Sequence, residues 1–177
     1  MPEEKLNLGI SDKMFFEQAM PILENIEATY NKYMGTIITL SNHSPFIYLD
    51  QYGEYDMSTT YEEINPATGE KELITTNYLY ETPVGNYIMS SHYADEALGE
   101  FIDYINNSSY FENTVFVFYG DHDAKMSYKD MNYLYNYDYL TGEVKTEEDE
   151  GYIEYDAYDH QLNKKTPLIL WTKNKNL

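Results

Sequence analysis

The stretch "TVFVFYGDHDAK", residues 114–125, constrains the fold of this chain more than any other. Its apolar and β-branched residues run without alternation up to Gly120, a pattern typical of a strand buried on both faces. Asp121, His122 and Asp123 follow at once. A carboxylate beside an imidazole is a ligand pair that divalent cations such as manganese, zinc or magnesium accept. Alternatively, the pair simply caps the strand. Two ligands alone do not make a closed metal site, which needs about four.

Helical and strand patterns alternate along the chain, which predicts an α/β fold with a mostly parallel sheet and helices on both faces. Ser11 or Asp12 is expected to cap a first helix, which Pro21 kinks or interrupts. A second helical pattern holds apolar residues from Ala94 to Ile105. The predicted strands, all expected to be buried, cover residues 35–41, 114–119 and 166–173.

Two long segments lack a strong period. Residues 45–86 are polar and rich in tyrosine, and they predict a loop with a small hairpin around "INPATGEK". Residues 123–165 predict a long acidic insertion or lid, with a short helix near 127–134. Eight carboxylates and one Lys lie between positions 143 and 159, so this part is expected to be solvated and mobile.

Composition excludes several classes of partner. The 177 residues include 31 acidic and 11 basic ones, all of them Lys, for a formal net charge of −20. Nucleic acid and anionic lipid surfaces need clustered basic residues, so neither is an expected partner. Cysteine is absent, and no apolar run approaches the roughly 20 residues that span a bilayer. No signal peptide is predicted at the start of the chain, and the polypeptide by itself is expected to be soluble.

The histidines are the other candidate functional residues. His43, in "LSNHSPF", comes just after a predicted strand, where it can bind phosphate or metal, shuttle a proton, or only cap the turn. His92 is expected to open the second helix, which would make Asp95 and Glu96 first-turn acids favoured by the helix dipole. His160 is expected to be exposed at the surface.

The order of "LNLGISDKMFFEQAMPILE", "IITLSNHSPF", "YADEALGEFIDYI" and "TVFVFYGDHDAK" resembles the extracellular catalytic domain of lipoteichoic acid synthases and related phosphoglycerol transferases. These enzymes belong to the sulfatase and alkaline phosphatase superfamily. The resemblance covers residues 6–125 and resumes at "KKTPLILW". It implies a partial sulfatase-like domain on the outer face of the cell membrane.

The resemblance implies transfer of glycerol phosphate from a phosphatidylglycerol-type lipid to a growing polymer, through a covalent threonine intermediate. It implies that Asp121 and His122 are metal ligands and that His43 contacts the phosphate or glycerol of the substrate. The implied metal is manganese, with magnesium or zinc as alternatives. The metal lowers the pKa of the attacking threonine and neutralises phosphoryl charge.

In the family, the nucleophilic threonine, an early glutamate ligand, and a Trp and an Arg of the substrate pocket precede the segment that matches Leu6. Residues 1–177 are therefore expected to form one incomplete domain without a catalytic residue. We expect no activity from the chain alone, and a complementary N-terminal segment as a partner. An exposed sheet edge or apolar face should lead to aggregation or pairing with that partner.

Two alternatives stay open. The first is a sulfatase or phosphoethanolamine transferase relative, although Gly120 before and Asp123 after the Asp-His pair favour the lipoteichoic acid branch. The second is a non-catalytic remnant or binding module of the same fold, whose acidic segment 141–159 binds cations or a cationic wall component. Metal affinity at Asp121 and His122 discriminates between a retained site and a remnant.

Overall fold

A computed structural model describes residues 5–6, 8–47, 49–65, 67–162 and 164–175. Its helices and strands confirm the predicted α/β class. In chain order the elements are β1 (Lys5–Leu6), β2 (Gly9–Ile10), α1 (Asp12–Thr29), a 3-10 helix (Asp50–Tyr52), β3 (Thr59–Ile64), β4 (Lys71–Thr76), α2 (Pro83–Asn107), β5 (Val115–Tyr119), α3 (Tyr128–Asn136), α4 (Ala157–Leu162) and β6 (Leu168–Thr172).

Helix α1 begins as its sequence predicts. The Oγ of Ser11 accepts a hydrogen bond of 3.2 Å from the backbone N–H of Met14, which satisfies one of the free donors at the helix start. The helix is continuous through Pro21, so the chain does not interrupt it there. Its buried side chains include Phe16 and Met20, which face α2 and the sheet.

Helix α2 begins at Pro83, about three turns before the apolar pattern that starts at Ala94. Thr82 caps it by accepting from the N–H of Gly85 at 3.1 Å, and Pro83 occupies the first turn, where a missing N–H costs nothing. His92 and Glu96 therefore lie in the interior of the helix, and the prediction that they sit in its first turn is wrong. Glu96 pairs with Lys13 of α1 at 3.1 Å instead.

Helices α1 and α2 pack against one face of the β5–β6 sheet and form the core. Phe16 stacks on Phe101 with ring centroids 4.4 Å apart, and Phe101 meets Phe116 of β5 edge-on at 6.0 Å. Ala97 and Ile105 are fully buried between them. Burial of each such large apolar side chain contributes about 1.5–3 kcal/mol, so this cluster is the main source of stability.

The strands differ from the predicted sheet in direction and in burial. Every strand pair in the described chain is antiparallel, including β5 with β6, in which Val117 lies opposite Leu170. Phe116 and Phe118 pack inward, whereas Val117 and Leu170 face outward and are half or more exposed. The predictions of a mostly parallel sheet, of helices on both faces and of a strand buried on both faces are therefore wrong here. After its long insertion the chain returns along β5 in the opposite direction, and none of the helices described here covers the outer face.

Residues 35–41 do not form the predicted strand, and all of 31–40 are exposed. A strand requires a neighbour that accepts and donates backbone hydrogen bonds. In the part of the chain that the structure describes, residues 34–39 have no such neighbour. The predicted final strand exists as β6, but its first three residues are exposed rather than buried.

The remaining local predictions agree better with the structure. β3 and β4 form the predicted hairpin, and α3 is the predicted short helix, with Ser127 and Asp130 in a reciprocal cap. The acidic segment lies mostly at the surface but is tied to α3 by Asn136. Its amide donates to the carbonyl of Ile153 at 2.9 Å and accepts from the Ile153 N–H at 2.7 Å. Among the described helices, none is long and apolar enough to cross a membrane.

Candidate functional site

The fold brings together two histidines that are 79 positions apart in the sequence. The rings of His43 and His122 lie 6.1 Å apart between centroids and meet nearly edge-on, at 83°. His43 follows the exposed segment 34–40, and His122 follows β5. The sequence motifs "SNHSPF" and "GDH" therefore meet at one end of the sheet.

The imidazole of His122 is set up to present one particular nitrogen. Its Nδ1 lies 2.7 Å from the backbone oxygen of Asp123. Because a carbonyl oxygen only accepts, Nδ1 carries the proton, and in the neutral ring Nε2 holds the lone pair. That Nε2 lies 3.9 Å from Oδ1 of Asp121, a carboxylate that is largely exposed. The two side chains thus present a nitrogen and an oxygen donor in the same direction, which is the donor set of a metal half-site.

Gly120 allows the strand end to take this shape. Its N–H donates to the carbonyl of Pro167 at 3.2 Å, so the chain before Asp121 is held against the entry to β6. A Cβ at position 120 would come within 3.0 Å of the Cβ of Thr166, closer than side chains normally approach. A larger residue at this position would therefore require Thr166 to move by a few tenths of an ångström.

The loop that carries His43 is clasped by the start of α1. Asp12 is 3% exposed, and its Oδ1 accepts from the backbone N–H groups of Leu40 at 3.1 Å and Ser41 at 3.0 Å. In return, the N–H of Asp12 donates to the Oγ of Ser41 at 2.8 Å. The sequence offered Asp12 only as an alternative helix cap, so its role in positioning the loop was missed. An Asp directly after a Ser cap is the sole local signal.

Two further elements, the 3-10 helix and α2, hold the same loop. The hydroxyl of Tyr52 donates to the carbonyl of Ser41 at 3.2 Å, and the Oδ1 of Asn42 accepts from Ser90 of α2 at 2.7 Å. Burial, the Asp12 carboxylate and the neighbouring Tyr93 raise the pKa of Tyr52 above its ordinary value, so its hydroxyl stays a donor at neutral pH. His43 thus projects from a loop whose backbone is fixed on both sides.

The other polar candidates lie elsewhere. His92 stacks on Tyr55 at 4.3 Å, with its Nε2 3.3 Å from Glu96. His160 is partly buried rather than exposed, because its ring stacks on Tyr128 at 4.7 Å. The carboxylate of Asp123 accepts from the N–H of Lys125 at 3.0 Å and so shapes the turn after the site.

The donor set fits part of a metal site. Within the described residues, no group of three or more His, Asp or Glu side chains is arranged to hold a metal ion. Asp121 and His122 have the right donor chemistry, but a closed site would need about two more ligands. The described residues therefore provide at most half of such a site.

Comparison with known proteins identifies relatives of this chain. The whole chain, residues 1–177, matches the family model described as Sulfatase. Lipoteichoic acid synthase 2 of Bacillus subtilis is 32% identical over 121 residues, which are 68% of this chain and 15% of that protein. Lipoteichoic acid synthase of Staphylococcus aureus is 32% identical over 117 residues, 66% of this chain and 15% of that protein.

A solved structure has a similar fold. The lipoteichoic acid synthase LtaP from Listeria monocytogenes superposes with a TM-score of 0.62 at 26% identity, over 96% of this chain and 34% of that one. The chain thus spans about 15% of the length of the curated relatives and about a third of the solved relative.

Proposed function

Because the chain belongs to the sulfatase family, with lipoteichoic acid synthases among its relatives, we propose that it forms part of a metal-dependent phosphoglycerol transferase. The complete enzyme would move glycerol phosphate from a phosphatidylglycerol-type lipid to a lipoteichoic-acid-type polymer, at the outer face of the membrane. The observation that carries this proposal is the meeting of His43 with His122 beside Asp121 at one end of the sheet.

Each of the three residues has a proposed role. The Asp121 carboxylate and the Nε2 of His122 would hold manganese, or alternatively magnesium or zinc. The Nδ1 of His122 donates to the Asp123 carbonyl, which fixes the ring so that Nε2 faces the ligand. His43 would contact a phosphate oxygen or glycerol hydroxyl of the substrate, and its loop is held by Asp12 and Tyr52.

When bound, the metal would supply a Lewis acid that neutralises phosphoryl charge and lowers the pKa of the attacking hydroxyl. Asp121 and His122 would contribute two of the roughly four ligands that such a site needs. The resemblance assigns the threonine nucleophile to a segment other than residues 6–125. The purified 177-residue chain should therefore show no transfer of glycerol phosphate by itself.

Manganese titration with thermal unfolding tests the proposed half-site. At a manganese concentration ten times the dissociation constant, binding to the folded form alone stabilises it by about 1.4 kcal/mol, or about 3–6 °C for a chain of this size. Asp121→Ala and His122→Ala should each erase this shift. His92→Ala is the matched control, because His92 also faces a carboxylate yet lies outside the site.

A second candidate function is a non-catalytic binding module of the same fold. The described residues hold no group of three or more candidate metal ligands, and this observation favours a non-catalytic module. A manganese shift that is missing, or that persists in both the Asp121 and the His122 variant, would contradict a retained half-site and support this module. A sulfatase or phosphoethanolamine transferase specificity is the remaining alternative, and donor-lipid assays on the complete enzyme would distinguish it.

A further inference from the structure

A cleft beside α2 is lined by aromatic rings and carboxylates. It has a volume of about 480 Å³ and opens between residues 53–56 and the turn that precedes the helix. Small-molecule sites have volumes of roughly 300–1,000 Å³, so the cleft is large enough for a small ligand. The described residues that line it are Gly53, Glu54, Tyr55, Asp56, Tyr80 and Met89, and none of these is basic. The cleft is therefore suited to a cation and not to an anion.

Contacts within the chain fix the walls of this cleft. Gly53 adopts a positive φ of 79°, and its N–H donates to the carbonyl of Asp50 at 3.1 Å, so the chain turns sharply after the 3-10 helix. The ring of Tyr55 stacks on His92 of α2 with centroids 4.3 Å apart. His92 covers one face of this ring, which leaves the other face for the cleft. Met89 is 3% exposed and forms the apolar floor.

Two carboxylates flank the Tyr55 ring in the same short loop. Glu54 precedes Tyr55 and Asp56 follows it. The Oδ1 of Asp56 accepts from the backbone N–H of Ser58 at 2.8 Å. Hydrogen bonds from the side chain and backbone of Ser58 hold the pKa of Asp56 below its ordinary value, so this carboxylate is charged at neutral pH.

A ring with two carboxylates already holds an ammonium group elsewhere in this chain. The Nζ of Lys13 lies 5.3 Å from the centroid of the Tyr93 ring, within the about 6 Å over which a ring face attracts a cation. The same Nζ lies 3.1 Å from Glu96 and 3.3 Å from Glu100. Burial lowers the pKa of Lys13, but the two glutamates outweigh burial and raise it, so the charged form is stabilised. The cleft has the same chemical groups and no lysine among its described lining residues.

We propose that the cleft binds an alkylammonium group of a ligand, either a primary amine or a quaternary one. We call Glu54, Tyr55, Asp56 and Tyr80 the ammonium site. The ring faces would attract the cation through their π electrons, and the carboxylates would attract it by charge. The proposal goes beyond the proposed function, because the ammonium site has no residue in common with the His43, Asp121 and His122 site.

Titration calorimetry with choline at low salt tests the ammonium site in the full 177-residue chain. Choline should bind saturably, and its uncharged carbon analogue, dimethylbutanol, should bind at least about fivefold more weakly. Tyr55→Leu should weaken choline binding about two- to fivefold, whereas Tyr55→Phe keeps the ring and should bind like wild type. Tyr104→Leu is the matched control, because Tyr104 is 45% exposed on α2 and lies outside the cleft.

Three results would overturn the ammonium site. They are no saturable binding of choline or ethanolamine by wild type, equal binding of choline and dimethylbutanol, and equal affinity of the Leu and Phe variants for choline. Circular dichroism checks that Tyr55→Leu is folded. If it is not, Tyr80→Leu replaces it, with Tyr80→Phe as the variant that keeps the ring.

A vesicle experiment identifies where the ammonium group comes from. Sedimentation of the chain with phosphatidylcholine vesicles, but not with phosphatidylglycerol vesicles, and its reversal by choline would support the ammonium site and identify a lipid headgroup as the ligand. Choline binding without sedimentation would also support the site and identify an ammonium group outside a bilayer. Tyr55→Leu should keep the manganese shift of wild type, so failure of the ammonium site and failure of the manganese half-site are separate results.

Discussion

The loop that carries His43 is fixed by α1, α2 and the 3-10 helix, whereas the strand end that carries Asp121 and His122 stands largely in solvent. Ser41 is 1% exposed and bonded to Asp12 and Tyr52. The Asp121 side chain is instead 79% exposed, and the Nε2 of the adjacent His122 lies 3.9 Å from its Oδ1. One half of the candidate site is therefore preorganised, and the other is open.

The two halves of the candidate site therefore differ in how far contacts within the chain fix them. A preorganised loop holds the His43 imidazole in place before anything binds. A carboxylate at an open strand end keeps its hydration until a cation and further ligands replace the water. The position of the His43 loop therefore depends on contacts within this chain, whereas the Asp121 side chain is open to solvent.

The largest expected effect is at Asp12. Asp12→Ala removes the acceptor for two backbone N–H groups, of which that of Ser41 is buried, so unfolding free energy should fall by about 3 kcal/mol. Asp121→Ala, with the same chemical change at an exposed site, should alter it by less than about 0.5 kcal/mol. Urea denaturation measures both. Equal losses would show that the two halves are held alike.

A second substitution probes how firmly the strand end is braced. Gly120→Ala places a methyl group 3.0 Å from Thr166 and should cost about 1–3 kcal/mol. Gly99→Ala, in the exposed interior of α2 with no atom near the new Cβ, should stabilise by about 0.5–1 kcal/mol. Thermal unfolding should give shifts of opposite sign. If Gly120→Ala does not change the unfolding temperature, Thr166 moves to make room for the methyl group. The strand end would then be more flexible than the contact of Gly120 with Pro167 indicates.

Much of the fold follows from local sequence signals, and the parts that do not are those that depend on distant partners. Ser11, Thr82 and Ser127 cap their helices through contacts within three residues. Residues 35–41 have the composition of a strand, yet no strand pairs with them among the described residues. Local composition does not specify which neighbour a strand will find. β5 lacks alternation in sequence, but its faces differ because α1 and α2 cover one of them.

The candidate site shows the same division. The side-chain chemistry of two sequence motifs identified His43, Asp121 and His122 as candidate site residues. The structure brings both histidines to one end of the sheet. Their assigned roles remain predictions. Asp12 and Ser90 escaped notice because their contacts with the His43 loop span 29 and 48 positions of sequence. An Asp in a first helical turn has an ordinary explanation, so nothing local indicates that it also holds a loop.

A smaller effect is expected on the α2 side of the loop. Ser90 is 1% exposed and donates to Asn42 at 2.7 Å, so Ser90→Ala should cost about 1 kcal/mol. Ser91 reaches the same oxygen at 3.3 Å from a partly exposed position, and Ser91→Ala should cost less than about 0.5 kcal/mol. Denaturant midpoints distinguish the two. A reversed order would place the main support of Asn42 at the surface and weaken the contrast between the two halves.

The smallest effect, and one that depends on pH, is expected at Tyr52. Tyr52→Phe removes one hydrogen bond to the Ser41 carbonyl and should cost about 0.5–1 kcal/mol at neutral pH. The pKa of Tyr52 is raised in the folded chain, chiefly by burial, so folding favours the protonated hydroxyl. Its contribution is complete below the unfolded pKa of about 10 and declines as pH rises through the higher folded value.

Unfolding free energies of wild type and Tyr52→Phe should therefore converge above pH 10, because wild type alone loses this contribution. If the unfolding free energies of the two proteins instead differ by a constant amount from pH 7 to 11, ionisation of the Tyr52 hydroxyl does not affect stability. Tyr119→Phe is the control, since Tyr119 is 63% exposed on the outer face of β5 and should follow wild type throughout. If only the Tyr52 variant converges with wild type, ionisation of the buried Tyr52 hydroxyl near Asp12 accounts for the loss of stability at high pH. That loss would then come from the His43 loop and not from the strand end that carries Asp121 and His122.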